Sequence, residues 1–408
     1  MRYAKQELLE GWNQKNLKNS EIVVIGSNNL ASFILIDLIA MGFGNIRRIG
    51  KSSFSFLNFY ELNSDVEFEE IQGEILNEII AKDYIGEPNF IIESSKSIHQ
   101  KMICLNYAKK RGIPIISSAC SNESYSIRVL ESGTFLDNFI LEDILNFHSR
   151  EINSEDGITN AIVASGRIVD ELRKRIMPLE KDKKFTKLYN YTKEEKINQK
   201  VLLVGAGAIG TFAGISLALN NAEVDVVDFD KVEESNLNRQ ILFYDSIGKY
   251  KSEIMAKKLS SIGKFKGIVG KVDESYKLEK DYGIILSCVD NLKARYHLDW
   301  IAYKTRTPLI NSGTSIFSGS VMPYVHGKTA CLDCQTFGGI GRLKDKKDNG
   351  SCYEPAIIIS NQIIGGLQVN KISRIFKDSF NTIKYDSNNK IREIATLEKC
   401  CENCEKNE

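Results

Sequence analysis

Lys200-Val-Leu-Leu-Val-Gly205-Ala-Gly207-Ala-Ile-Gly210 is a short apolar run that stops at a glycine and restarts with helical spacing, continuing to about Leu219. A strand, a glycine-rich turn and a helix in that order form a phosphate cradle. The glycines let the backbone turn tightly, and the helix N-terminus offers unpaired N–H donors with a partial positive charge. The next strand, Glu223-Val-Asp-Val-Val-Asp228, ends in an acid placed to accept hydrogen bonds from ribose hydroxyls. To this point an NAD-dependent oxidoreductase fits as well as any nucleotide-binding protein.

The residues after Asp228 change that reading. Phe229-Asp230-Lys-Val-Glu-Glu-Ser235-Asn236-Leu237-Asn238-Arg239-Gln240 is followed by Ile247-Gly248-Lys-Tyr-Lys251. Hydride transfer needs no guanidinium or ammonium beside the nucleotide. Splitting a triphosphate does, because Arg forks onto phosphate oxygens and Lys supplies a compact charge for leaving pyrophosphate. Further on, the strand Ile284-Ile-Leu-Ser-Cys288 runs into Val289-Asp290-Asn291, with Arg295 one turn later. An acid at the carboxyl edge of a sheet is where a Mg²⁺ ligand would sit. Each of these side chains alone is an ordinary surface charge; their order carries the signal.

The same pattern is written earlier in the chain. Glu21-Ile-Val-Val-Ile-Gly26 and the helical stretch Asn29 to Met41 answer the opening segment; Asn89-Phe-Ile-Ile-Glu-Ser answers Tyr282-Gly-Ile-Ile-Leu-Ser. Gly112-Ile-Pro-Ile-Ile-Ser-Ser answers Thr307 to Gly313, and the helices 159–176 and 360–376 answer each other. Alternating strands and helices imply βαβ units on a mostly parallel sheet. The expected architecture is therefore α/β, with two tandem Rossmann-like domains: 1–178, a polar linker 179–198, and 199–408.

The first copy is worn. Its loop reads Gly26-Ser-Asn-Asn-Leu-Ala31, and a Cβ where glycine stood obstructs approach to phosphate. No acid stands between Asn45 and Leu57, Phe59 takes the place of Arg239, and Ser94-Ser-Lys96 takes that of Asp290. This half is expected not to bind ATP and to have been kept as a packing partner.

Gly-x-Gly-x-x-Gly, Asp-Phe-Asp-x-Val-x-x-Ser-Asn-Leu-x-Arg-Gln, Gly-x-x-Lys and Asp-Asn-x-x-x-Arg stand here in one order. In that order the chain resembles the E1-like activating enzymes, which include the molybdopterin and thiamine sulfur-carrier adenylyltransferases. The resemblance covers nearly all of 199–408 and, more weakly, 1–178. It implies ATP and Mg²⁺ as cofactors and transfer of AMP to the C-terminal carboxylate of a small protein or peptide. It implies Asp228 on the ribose, Asn236, Arg239 and Lys251 on the phosphates, and Asp290 on Mg²⁺. Gly205, Gly207, Gly210, Asp230, Gln240 and Asn291 complete the nucleotide set. Resembling enzymes work as dimers or as a fused inactive–active pair, so a pseudo-dimer within the chain is expected and a homodimer is allowed. In them a partner's N-terminal Arg-Tyr-x-Arg-Gln segment reaches the active site; here that segment is Arg2-Tyr3-Ala4-Lys5-Gln6, which nominates Lys5, otherwise an exposed terminal lysine.

Nine cysteines and no apolar N-terminal run read as a reducing, cytoplasmic setting. Cys331-Leu-Asp-Cys334 and Cys401-Glu-Asn-Cys404 have the spacing of a closed tetrahedral Zn²⁺ cage that would staple the C-terminal tail to the second domain. Cys352, in a polar loop before a helix expected near Glu354, is either an activated thiol for thioester or sulfur-carrier chemistry or a plain loop thiol. Cys104, Cys120 and Cys288 lie on apolar stretches and are expected in the core. Lys and Arg number 54 against 53 Asp and Glu, a net charge of +1, which supports neither a nucleic-acid nor a membrane partner.

The substrate stays open between two branches. Cys352 leans to sulfur carriers, while Tyr324 to Gln335 and Ile241-Leu-Phe243 resemble enzymes that modify ribosomally made peptides, as in microcin C-type biosynthesis. The rival readings are the oxidoreductase and a non-catalytic peptide-binding scaffold.

Overall fold

The computed structural model describes residues 2–52, 54–131, 141–278, 281–335 and 355–396. Seven strands build the first sheet: β1 Glu21–Ile25, β2 Asn45–Ile49, β3 Glu67–Ile71, β4 Phe90–Glu93, β5 Ile115–Cys120, β6 Ser124–Leu130 and β7 Lys187–Tyr191. Eight build the second: β8 Val201–Val204, β9 Glu223–Val227, β10 Lys264–Ile268, β11 Ile284–Ser287, β12 Leu309–Thr314, β13 Ser318–Tyr324, β14 Thr382–Asp386 and β15 Arg392–Ile394. Their orders are β3-β2-β1-β4-β5-β6-β7 and β10-β9-β8-β11-β12-β13-β14-β15. The first five strands of each order are parallel and the remainder antiparallel. One winding has thus been used twice.

Burial explains why these stretches are strands. β4, β8 and β11 are buried at every position, as parallel strands covered on both faces must be. The helices Asn29–Met41 and Ala208–Leu219 follow β1 and β8 in equivalent places. In each sheet the strand order reverses between the first strand and the fourth, β1 against β4 and β8 against β11. Crevices open at such reversals, outside the carboxyl ends of the strands.

Clustering of the chain gives two compact units whose limits differ from the expected domains. Met1–Glu194 forms the first, together with Leu237–Tyr244 and Ile357–Ile359; Glu195–Asn236, Asp245–Ala356 and Ser360–Glu408 form the second. The segment expected as a linker, 179–198, contains β7, which pairs with β6 and ends the first sheet. Only Leu188 of that strand is buried, so its sequence carries almost no apolar alternation. Leu237–Phe243 is a buried run, and burial rather than chain order decides which unit a segment joins. The helix placed near Glu354 begins at Ile358, after residues 355–357, which are irregular.

Each unit is tied by buried polar groups near the strand ends. In the first, Lys101 is fully buried, pairs with the buried Glu93 carboxylate and donates to Ser118 O at 2.7 Å. Burial pushes Glu93 up from its ordinary carboxylate value, and Lys101 opposes that push. In the second, Gln368 of helix Ile358–Ile375 donates to Ser287 O at 3.2 Å and to Ile310 O at 2.9 Å, stitching β11 to β12. Cys288 donates to its Oε1 at 3.0 Å. Cys104, Cys120 and Cys288 are buried as expected, and burial raises all three thiols, Cys288 to about 12.

Lys101→Ala removes the cation that offsets the burial of Glu93 and should destabilise the first unit by about 3–5 kcal/mol. Urea denaturation checks this. Lys101→Ala combined with Glu93→Ala should recover part of the loss, because no buried charge then remains.

Candidate active site

The glycine loop of the second unit is compressed against its neighbours. Gly205 has φ +98°, and a Cβ there would stand 2.8 Å from Cys288 O and 3.2 Å from Val289 N. A Cβ on Gly210 would stand 1.9 Å from Gly205 O. No side chain fits either position, so the turn lies directly on the carboxyl end of β11, where Val289 leads into Asp290. Gly207 is the N-cap of helix Ala208–Leu219, and no side chain caps it. The first-turn amides therefore face outward from a bare helix end, the arrangement that binds anions.

Asp228, just past β9, closes the other wall. Its Oδ2 accepts from Ala206 N at 2.6 Å and its Oδ1 from Asp230 N at 2.7 Å. Ser252 Oγ donates to its carbonyl at 2.9 Å. Burial raises the Asp228 carboxyl above its ordinary value; the Asp230 amide and the Lys251 charge pull the other way. Lys251 opens helix Lys251–Leu259 and is buried. Its Nζ lies 3.0 Å from Asp230 Oδ2, and its amide donates to Asp230 O.

Asp290 is exposed beyond β11, and Asn291 caps helix Leu292–Thr305 through its Oδ1, which accepts from Ala294 N at 2.8 Å. Arg295 donates to Val289 O at 2.5 Å. Gly205, Gly207, Gly210, Asp228, Asp230, Lys251, Asp290 and Asn291 thus gather at the carboxyl ends of β8, β9 and β11, around the point where the strand order reverses. Asn236 is buried at the end of the short turn Glu234–Asn236, where its Oδ1 accepts from Glu233 N at 3.1 Å. Arg239 and Gln240 lie in Leu237–Tyr244, the segment grouped with the first unit; Arg239 Nη1 donates to Asn238 Oδ1 at 2.8 Å. In that unit Asn238 Nδ2 stands 3.5 Å from Gln6 Oε1, and Arg2 donates to Leu62 O at 2.8 Å and Leu237 O at 3.4 Å. The N-terminal segment does meet the Leu-Asn-Arg-Gln motif, through Arg2 and Gln6. Lys5 sits half-buried in the helix Ala4–Glu7.

The equivalent corner of the first unit is filled by its own side chains. Asn28 caps helix Asn29–Met41, its Oδ1 accepting from Ala31 N at 2.9 Å, and its Nδ2 donates to Ser94 O. Gly50 stands where Asp228 does, and Ser27 Oγ accepts from Lys51 N at 3.1 Å. The fully buried Arg48 guanidinium donates to Gly26 O and Lys51 O. Lys96, at the position of Asp290, pairs with Asp156 at 2.7 Å. Sequence reading caught the missing glycines and acid but missed Arg48; its signal is a charged residue at a strand position whose counterpart, Val226, is apolar.

A model of the ThiF family matches residues 181–407, more than half of the chain. This chain belongs to the ThiF family. Among curated relatives, SUMO-activating enzyme subunit 2 of Dictyostelium discoideum is 33% identical over 144 residues, 33% of this chain and 22% of that protein. The NEDD8-activating enzyme E1 catalytic subunit of Saccharomyces cerevisiae is 28% identical over 222 residues, 50% of this chain and 69% of that protein. The chain spans between 22% and 33% of the lengths of three of the curated relatives it matches. Among solved structures, E. coli MccB with AMPCPP and MccA aligns with a TM-score of 0.43 at 23% identity, over 50% of this chain and 65% of that one.

Among the described residues, no group of three or more His, Cys, Asp and Glu side chains is set to hold a metal. Cys331 and Cys334 bracket the start of helix Leu332–Gln335 and are half-buried. Cys352, Cys401 and Cys404 lie outside the described residues. No helix among the described residues is long and apolar enough to cross a membrane.

Gly210→Ala forces the loop carbonyl aside and should cost about 1–3 kcal/mol of stability, together with nucleotide binding; thermal shift with and without ATP reads both. An Asp228 that is to accept from a ribose while holding two amides must be ionised. Since its folded-state value is raised, ATP affinity should fall as pH drops, starting above the region near 4 where an ordinary Asp titrates. Calorimetric titration between pH 5 and 8 checks the sign, and Asp228→Asn should flatten the profile at reduced affinity.

Proposed function

We propose that this protein is an ATP-dependent adenylyltransferase that activates the C-terminal carboxylate of a small protein or peptide. The observation that carries the reading is the bare helix N-terminus at Gly207, flanked by the half-buried Asp228 carboxylate, the Lys251–Asp230 pair and the exposed Asp290. Family membership and the SUMO-, ubiquitin- and NEDD8-activating relatives point the same way.

In this reading the ATP triphosphate lies over the amides of Ala208 to Gly210, and Asp228 holds the ribose. The substrate carboxylate oxygen attacks the α-phosphorus; the bond from that phosphorus to the bridging oxygen breaks, giving acyl-adenylate and pyrophosphate. No general base is needed, because a C-terminal carboxylate is already an anion at neutral pH. Lys251 offsets charge developing on the pyrophosphate, and its pairing with Asp230 keeps the ammonium from swinging into solvent. Arg239 is assigned to the same phosphates by the motif it shares with the family. Asp290 would hold Mg²⁺, which supplies further charge neutralisation on the triphosphate when bound.

Two structural roles belong to the proposal. The first unit binds no ATP: Asn28 occupies its helix N-terminus, Gly50 replaces the ribose acid, and Lys96 replaces the metal acid. Cys331 and Cys334, with Cys401 and Cys404, hold one structural Zn²⁺; the two-residue spacing of each pair suits thiolates on one side of a turn. The sulfur-carrier and peptide-modifying branches remain the two substrate classes, and a cytoplasmic setting is the compartment both would need.

ATP–pyrophosphate exchange in the presence of a carboxylate peptide tests the reaction. Asp290→Ala and Lys251→Ala should each reduce exchange by about a hundredfold, in line with loss of one charged group from a phosphoryl site. Exchange indifferent to both substitutions would sink the reading, and nicotinamide binding would replace it with the oxidoreductase. Titration should find one ATP and one zinc per chain, with Cys331→Ser losing the zinc.

A further inference from the structure

A cleft of about 570 Å³ opens in the second unit beside the adenylation site, lined from β12, β13, β14 and the turn after them. Register fixes which side chains share its floor. Gly313 pairs with Ser320, Ser320 with Lys384, and Lys384 with Arg392, so these four form one row across β12 to β15 on a single face of the sheet. The opposite face of the same strands is packed, with Gly319 against Ile364 and Tyr385 buried. The floor thus begins small, at Gly313 and Ser320, and ends cationic.

Its inner end touches the chemistry. The Arg295 guanidinium lies 3.3 Å from where a Gly313 Cβ would be, and the same group binds Val289 O, next to Asp290. Its outer end carries Lys384, Lys390 and Arg392, with Asp386 as the acidic side chain of the lining. Asp386 Oδ1 accepts from Asn388 N at 2.8 Å and from Asn389 Nδ2 at 3.2 Å, which fixes it in the turn.

We infer that this trough seats the C-terminal segment of the polypeptide whose carboxylate is activated, and that Lys384 and Arg392 select an acidic side chain on it. The inference rests on the proposed function and adds the charge and position of the recognised residue. From β12 to β15 is three strand spacings, about 14 Å, which an extended chain covers in about four residues. An Asp or Glu about four residues before the terminal carboxylate would therefore lie over Lys384 and Arg392 while the carboxylate reaches the inner end. Ser320 leaves room for the intervening backbone, which meets the Arg295 guanidinium at Gly313.

The test uses the full chain with a non-hydrolysable ATP analogue and Mg²⁺. Seven-residue peptides with a fluorescein at the N-terminus and a free carboxylate carry Asp, Ala or Lys four residues from the end, and anisotropy gives their affinities at low salt. The Asp peptide should bind about tenfold tighter than the Lys peptide, in keeping with charge complementarity and like-charge repulsion at an open site. Lys384→Glu with Arg392→Glu should invert that order while leaving analogue binding, measured by calorimetry, unchanged. Analogue binding with peptide affinities that ignore the varied residue or the double substitution overturns the trough alone. Tighter binding of a single-stranded oligoribonucleotide than of the Asp peptide also overturns it. Absence of analogue binding overturns the adenylation reading and this inference with it.

Discussion

Backbone has to pass within van der Waals contact of backbone at the end of β8, and that contact organises the second unit. Gly210 sits on the Gly205 carbonyl, and Gly205 sits on the peptide between Cys288 and Val289. Side chains at either position would push the turn away from β11 and move the helix N-terminus away from Asp290. Because they are glycines, the bare amides after Gly207 and the acid after β11 face one crevice. Asp228 then fastens the turn from the other wall, through Ala206 N. The loop is held by close packing on one side and by a half-buried carboxylate on the other.

That arrangement carries an electrostatic cost, part of which a polyanionic ligand would relieve at the lysine and the helix end. A half-buried carboxylate with a raised value, a buried lysine and an uncapped helix end are each unfavourable in isolation. They are tolerated because Asp228 accepts two backbone N–H groups and Lys251 faces Asp230. The first unit shows the same fold relaxed. Asn28 caps the helix, Arg48 satisfies the loop carbonyl, and Lys96 meets Asp156, so the strand-order reversal there opens onto satisfied groups. A carboxamide, a guanidinium and an ammonium occupy that corner of the first unit, and the winding of its sheet is the same.

The two halves also differ in how their ends are used. β6 and β7 complete the first sheet, while β13, β14 and β15 extend the second one strand further and carry its cationic row. An antiparallel extension exposes one face of its strands, and it is on that face that small residues give way to lysine and arginine. The extension thus runs that row toward Arg295 and the carboxyl end of β11 within one unit.

Much of this was legible in the sequence. Helices Asn29–Met41 and Ala208–Leu219 lie where glycine punctuation and 3.6-residue spacing put them, and the duplicated strand–helix order gave two equally wound sheets. The acids, glycines and lysine picked out by their order along the chain come together at the carboxyl ends of β8, β9 and β11, because a βαβ unit fixes local spacing there. Tertiary structure alone decided the rest. β7 could not be read because a single buried leucine on an edge strand leaves no period to detect. The capture of Leu237–Tyr244 by the first unit, the plugging role of Arg48, the Gln368 stitch and the row from Gly313 to Arg392 join residues tens of positions apart. Local propensity carries no record of such pairings; register and burial create them only once the sheets have formed.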